Sequence, residues 1–599
     1  MHCLFALIHK RYFMQYLQAG ISSNLVKRAA QVFGAPLSCE PSVPWIWRCV
    51  GVILFGLAWL IPPGNSPWNV FLRECSVSGL TVLVGLAIAL RVTGRVQLTP
   101  LALAALALAL TPLMQWGFGL ITVAGGAWIT SAYLAGFALC IGCGALWDRA
   151  DPGAMVDALF QAICLAALAT VCIQCYQWLH PSEVAGPWLA YTPQTRLAGN
   201  FGQPNHTATF LLWGVCAIAW LWVRGYVKSW VALVLSAIFL TGVAFAVSRT
   251  AWLGLALILC LSWYWRALWP DKRTPWIVAA LCVYFIAVST VAVTILQPNY
   301  GALDVLASSS SGLARLQIWH IAVKALALKP WLGYGWGQIF AAQLAVAAEA
   351  PQLHHPLNSA HNLVLDVLLC CGLLIGGLAL CAGAHWLWRC VQKVDRAQEA
   401  LLVIFVLIAL NHAMLEYPLR FAYLLLPFGL VLGALDARLS PWKVPALQVP
   451  KVAWIGALAV AALLWGLILK DYFSYQDSYQ DLVLHRLGIA TEPWEPSKVI
   501  LLNQLSARLE LEGLDAMRKD RSVVDLEAFE SVAALTPVGG SMVLLAGSLA
   551  MNGYPERARS WLASFCSVYS EAACTTARAK WKKAGEQYPE FGAIPWPEN

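Results

Sequence analysis

Charge is what this sequence has least of. Only 12% of its 599 residues are Asp, Glu, Lys or Arg, about half the share found in a soluble domain. With 60% hydrophobic residues and a mean hydropathy of +0.65, the apolar surface exceeds what soluble cores can hide, so lipid must cover the remainder. No stretch mixes basic side chains with polar readout residues, so the net charge of +8 does not point to nucleic acid. No run alternates apolar and polar residues over about ten positions, which excludes a transmembrane β-barrel. No C-x-x-C motifs are paired at a spacing suited to zinc. Most of the eighteen cysteines, such as Cys140, Cys143, Cys164, Cys370 and Cys371, sit in apolar runs as small hydrophobes. Cys566 and Cys574 lie in a polar region, where an oxidising compartment leaves a bridge and two free thiols equally open. No short apolar core with a small-residue cleavage site opens the chain, so the first spanning helix is expected to act as its own insertion signal.

What is present is a series of long apolar runs. Thirteen are expected to span, near 45–62, 73–91, 99–115, 119–146, 154–179, 205–223, 229–247, 250–268, 275–296, 361–388, 399–415, 421–436 and 452–470. Lipid offers no backbone partners, so each must be helical. The expected fold is all-α: a polytopic bundle of about 12–13 transmembrane helices, with helices in the outer loops and a soluble helical domain at the C-terminus. Arg91, Arg95, Arg149, Arg224, Lys228, Arg266, Lys272, Arg273, Arg389, Lys393, Arg396, Arg438 and Lys443 all fall in alternate loops. The positive-inside rule then places residues 1–44 in the cytoplasm as an N-terminal segment, and the end of the chain outside. Residues 45–470 form the membrane domain, with its core over 180–440 and a long periplasmic loop over 297–360; residues 471–599 form a periplasmic helical domain. In the long loop, Leu313 to Leu328 reads as an amphipathic helix at the interface. Helix pairs in the tail resemble a tetratricopeptide pattern loosely.

Polar residues gather at the outer face. The run 195–208 carries Arg196, Asn200, Gln203, Asn205 and His206 around Gly199, Gly202 and Pro204. It is either a polar loop with Asn205 capping the next helix or a set of donors for a ligand. Arg249 lies on the face depleted in arginine, which favours anion binding over snorkelling. Arg315 opens the loop helix, and a guanidinium fork matches phosphate oxygens. His361 opens a long apolar helix that Asn358 or Ser359 would cap, and imidazole is the side chain suited to proton transfer near neutral pH. His320, His354 and His355 lack carboxylate or cysteine companions at ligand spacing, so no metal is expected. Glu416, Tyr417, Pro418 and Arg420 form a short loop on the same side.

These segments together resemble the O-antigen ligase and polymerase superfamily, and within it the PglL-type protein O-oligosaccharyltransferases. "GQPNH" at 202–206, "SRTAW" at 248–252, "RLQIW" at 315–319, "KPWLGYGWG" at 329–337, His361-Asn362 with the glycines at 372, 376 and 377, and "LEYPL" at 415–419 carry the likeness. The resemblance implies a GT-C-like membrane enzyme that is metal-independent and needs no cofactor. It implies an oligosaccharide on undecaprenyl pyrophosphate as donor, and transfer en bloc to Ser or Thr of an exported protein such as a pilin, at the periplasmic face of a bacterial inner membrane. By position, His361 matches the essential histidine. Arg249 and Arg315 match the pyrophosphate-holding arginines, and Gln203 and Tyr417 match polar positions of the PglL branch; Arg196, Asn205 and His206, on the same outer face, are expected to join them in binding substrate. A lipopolysaccharide O-antigen ligase or an O-antigen polymerase would use the same donor. A transporter would show an inverted repeat or matched broken helices, and neither is present.

Overall fold

The computed structural model describes residues 45–597, apart from 65–67, 92–93, 181–187, 192–194, 297–309, 350–352, 440–441, 443–445, 490–493 and 537. The expected N-terminal segment 1–44 and Lys443 lie outside the described residues.

A helix stands at each of the thirteen expected spans. They are α1 (Trp45–Trp59), α2 (Phe71–Arg91), α3 (Pro100–Gly117), α4 (Ala124–Ala150), α5 (Ala154–Leu179), α6 (Pro204–Val223), α7 (Ser229–Phe245), α8 (Arg249–Tyr264) and α9 (Thr274–Leu296). The long loop supplies α10 (Ser310–Leu328) and α11 (Ile339–Ala345). Then follow α12 (Leu363–Cys371), a π-turn over Gly372–Gly377, α13 (Leu378–Lys393), α14 (Ala397–Ala413), α15 (Ala422–Leu439) and α16 (Lys451–Arg486). Among the described residues, nine stretches are long and apolar enough to cross a bilayer, α12 and α13 counting as one; α1, α7, α8 and α14 are shorter apolar helices. The fold is an all-α, multi-pass membrane bundle.

The basic end of the bundle is bolted by ion pairs. Arg438 Nε and Nη2 donate to Asp148 at 2.8 Å, joining α15 to α4. Asp157 of α5 accepts from Arg224, Tyr226 and Trp220. A two-stranded antiparallel ribbon, β1 (Arg95–Leu98) with β2 (Leu447–Pro450), closes the same end. A buried carboxylate without partners would cost several kcal/mol (roughly 3–5 when a pair is broken), so these pairs set the helix order there.

Two features shape the long loop. The helix α10 packs one face on protein, with Ile318, Ile321, Ala322 and Ala325 buried with Tyr334, Ile339 and Leu369, while Leu313, Leu316 and Val323 remain exposed. The run after it folds back on the π-turn. Tyr334 N donates to Leu369 O, Gly335 N to Cys370 O and Leu373 N to Pro330 O. This crossing needs glycine on both sides: Gly333 and Gly372 have φ of +70° and +66°, and a Cβ on Gly372 would sit 2.1 Å from Trp331 O.

The boundary expected at 470 falls inside α16, which runs unbroken to Arg486. No Gly or Pro interrupts residues 467–487, and Gly488 with φ +70° then ends the helix. Beyond it, α17 (Asn503–Glu512), α18 (Val523–Ala533), α19 (Gly539–Met551), α20 (Pro555–Val568), α21 (Glu571–Gln587) and α22 (Pro589–Gly592) enclose their own core of Leu511, Leu526, Leu545, Leu549, Leu562 and Trp581. Cys566 and Cys574 form a disulfide with Cα atoms 5.1 Å apart. The tail is tied to the bundle where Asn503 Oδ1 accepts from Gly125 N and Trp128 Nε1 donates to Leu501 O.

Candidate active site

The turn before α6 is shaped from below. Arg73, buried at the start of α2, donates to the carbonyls of Ile61, Asn200 and Phe201. Its guanidinium lies 5.0 Å from the ring centres of both Phe201 and Tyr423. Glu74 beside it accepts from Trp68, Tyr133 and Ala422 N. Arg73 pins residues 199–201 in a short 3-10 turn that opens on Gly199 (φ +54°) and ends at Gly202 (φ +70°). Pro204 then opens α6, and Gln203 rather than Asn205 is its cap, accepting from His206 N at 2.7 Å. The Gln203 amide reaches forward to that N–H, and Pro204, which has no N–H to satisfy, occupies the first helical position.

Asn205 is thereby freed for a different task. Its Oδ1 accepts from Arg196 Nη2 at 3.2 Å and Ser248 Oγ at 2.7 Å. Arg196 Nε also donates to Ala246 O, and Val247 takes φ +45°, so the chain reverses sharply before Arg249 starts α8. The Asn205 Nδ2 donates to Glu416 Oε1.

Glu416 is the hub of the cluster. Besides Asn205 it accepts from Gln203 Nε2 at 2.8 Å, lies 3.4 Å from His412 Nε2 and 3.7 Å from Arg315 Nη2. Burial alone would push its carboxyl up; His412, His206 and Asn205 outweigh burial and bring it down to about 2. The guanidinium of Arg196 is lowered by burial and by the charges of Arg249 and Arg315, against the pull of Glu416. Arg315 is likewise lowered by burial and by Arg249, and raised by Glu416. Arg196 and Arg315 thus share one carboxylate, and Arg249 at the start of α8 acts on both of them.

His361 lies within the field of Glu416 and Arg315. It sits at φ +52°, a left-handed turn built by Asp366, whose carboxylate accepts from Ser359 Oγ and Ala360 N at 2.6 Å. The backbone N–H of His361 donates to Ser359 Oγ at 2.9 Å. Asp366, five residues along, therefore shapes the turn through Ser359 and the backbone of Ala360. The cap of α12 is Asn362, not Asn358 or Ser359: it accepts from Val364 N and Leu365 N. The reason is that His361 has not yet entered the helix. The ring of His361 meets Tyr417 edge to face at 5.1 Å. Burial lowers its pKa, Glu416 and Asp366 pull it up, and Arg315 pushes it down; the net direction is below the ordinary histidine value. A neutral imidazole at neutral pH is the form that accepts a proton.

All eight expected site residues stand at this one end of the bundle. His206 differs in kind from the rest: its ring is only 3% exposed and lies 2.6 Å from the Tyr423 hydroxyl, so it supports the wall rather than forming it. His206, His412 and Glu416 are of types that bind metals and lie within 4.8 Å of one another. The Glu416 oxygens, however, are already engaged by the amides of Gln203 and Asn205. Sequence reasoning assigned no role to Arg73, Glu74, His412 or Glu416. The signal for the first two was a charged pair in an apolar run; for the last two, a His and a Glu at i,i+4 spacing.

Family comparisons cover the same segments. Residues 198–222 match the protein glycosylation ligase family, 231–381 the O-antigen ligase family, and 400–584 the virulence factor membrane-bound polymerase C-terminal family. The chain is 31% identical over 476 residues to a general O-oligosaccharyltransferase of Acinetobacter baylyi, covering 76% of this chain and 81% of that protein. The chain belongs to the PglL-type protein O-oligosaccharyltransferases. A ComP-specific O-oligosaccharyltransferase of the same organism is 28% identical over 247 residues, covering 41% of this chain and 44% of that protein. In this oligosaccharyltransferase, Arg73 and Glu74 lie outside all three matched ranges.

Proposed function

We propose that this oligosaccharyltransferase moves an oligosaccharide en bloc from undecaprenyl pyrophosphate to a Ser or Thr hydroxyl of an exported protein such as a pilin, at the periplasmic face of the inner membrane. The observation that carries the reading is that Arg196 and Arg315 share the carboxylate of Glu416, with Arg249 close enough to act on both and His361 in the field of Glu416 and Arg315. The arginines leave an excess of positive charge at a membrane surface, which suits a diphosphate diester whose lipid tail stays in the bilayer. His361 takes the acceptor hydroxyl proton; the oxygen bonds to the anomeric carbon from the face opposite the phosphate; the carbon–oxygen bond to phosphate breaks with its electron pair on the diphosphate. The configuration inverts, and the guanidinium groups stabilise the charge growing on the leaving group. No step calls on a divalent ion.

The alternation of the basic loops supports the cytoplasmic placement of the ion-paired end and the periplasmic placement of the site. The domain limits 1–44, 45–470 and 471–599 are retained as a functional division, although α16 crosses the second of them. The test is a reconstituted assay with the full-length protein, a lipid-linked glycan and pilin as acceptor, read by mass spectrometry. A glycan-sized mass on Ser or Thr is expected; transfer only to lipid A-core or to another donor unit would overturn the reading.

A further inference from the structure

The tail carries a groove that the chemistry above does not use. It measures about 950 Å³ and lies between the end of α16, the start of α19 and the α20–α21 corner. Phe565, Tyr569, Leu544 and Ala573 make much of it apolar. Its floor is the N-terminus of α19, which begins Val538-Gly539-Gly540 without a side-chain cap, so the helix dipole there favours a negative group. Ser541 lines the floor at 2% exposure, and its hydroxyl has no partner among the described residues. Arg486 and Lys580 stand in the walls; the one lining carboxylate, Glu512, is held by Arg508 at 2.7 Å. The groove is therefore apolar, positive and supplied with donors.

Its shape is held from outside. The Cys566–Cys574 disulfide ties the corner of the α20–α21 hairpin, and Phe340 of α11 packs into the same cluster as that disulfide. The long loop that supplies Arg315 thus rests on the hairpin that forms the groove wall. Gly539 is wedged against Phe565, whose ring would lie 2.8 Å from an added Cβ, whereas Gly540 faces open space with nothing within 4 Å.

We propose that this groove docks an extended, acidic segment of the acceptor polypeptide, with a carboxylate at the α19 N-terminus and apolar side chains along the α20–α21 wall. This rests on the reading of the protein as one that acts on a polypeptide. A segment held there is tethered to the body that carries the chemistry, which raises its effective concentration at His361.

The test uses the full-length protein in detergent and two fluorescein-labelled peptides of one apolar sequence, carrying glutamates or glutamines in the same places. Fluorescence anisotropy should show the glutamate peptide binding at least about tenfold more tightly, with a gap that narrows as salt rises. Gly540→Leu, whose added Cβ meets nothing within 4 Å, puts a side chain into the groove and should weaken binding at least about tenfold, while His361→Ala should bind as the native protein does. Should Gly540→Leu fail to fold, Lys580→Glu is expected to remove the preference for glutamate. Equal binding of the two peptides, no binding of either, or native affinity in Gly540→Leu overturns the proposal. Loss of glycan transfer with peptide binding intact would sink the transferase reading instead and leave the groove standing.

Discussion

At the scale of single residues, His361 and Glu416 show how the site is held. His361 is forced to a positive φ by Asp366 acting on Ser359 and Ala360, so the imidazole is aimed by a carboxylate that never touches it. His361→Ala should retain expression and insertion and lose glycan transfer by about 100-fold or more; a normal rate in the reconstituted assay would remove it from the mechanism. Because the burial-lowered imidazole must be neutral to accept a proton, activity should be flat through neutral pH. It should fall only as pH drops through a value below the ordinary histidine value of about 6.5. An acid limb above that value in a pH–rate profile would contradict this. Arg249→Lys should cost about tenfold or more despite the retained charge, since a point charge cannot replace a planar fork; kinetics on the lipid-linked donor would show it. Glu416→Gln should do comparable harm, because an amide hydrogen would then face the amides of Gln203 and Asn205. The candidates His361, Arg249 and Arg315 were legible as polar groups on an outer face. Glu416 was visible only as one loop carboxylate among others, since its partners come from positions about two hundred residues earlier in the chain.

At the scale of elements, the long loop is the instructive case. Its glycines read in sequence as part of a motif and gave no hint of what they meet. In the fold, Gly333 and Gly372 let two backbones cross. Gln115 of α3 locks the crossing by donating to Cys370 O and accepting from Trp336 N. Gly372→Ala should therefore destabilise the protein by on the order of 3 kcal/mol, seen as a lowered melting temperature and lost transfer. Gly377→Ala, with no atom within 4 Å of the added methyl and no positive φ, should melt like the native protein. The helix α10 teaches the same lesson in reverse. Its apolar residues suggested a bilayer surface, and half of them serve a protein core instead, a choice that periodicity alone cannot make.

At the scale of the molecule, α16 joins membrane and tail as one rod, and Asp471 within it accepts from the N–H groups of Ile500, Leu501 and Leu502. The tail is thereby mounted on the bundle rather than tethered by a linker. Replacing Cys566 and Cys574 by alanine together should lower tail stability by about 2 kcal/mol, measurable as a separate early melting step, while His361-dependent donor turnover persists. The sequence by itself determined the membrane class, the positions of the apolar helices and the grouping of polar residues at one end of the bundle, because each depends on transfer of local segments between water and lipid. Tertiary structure alone decided which charges neutralise one another, that Gln203 and Asn362 are the caps, that Cys566 meets Cys574, and that Glu416 meets Arg315 and Arg196. Those outcomes depend on distances between segments remote in the chain, and no local free energy encodes them.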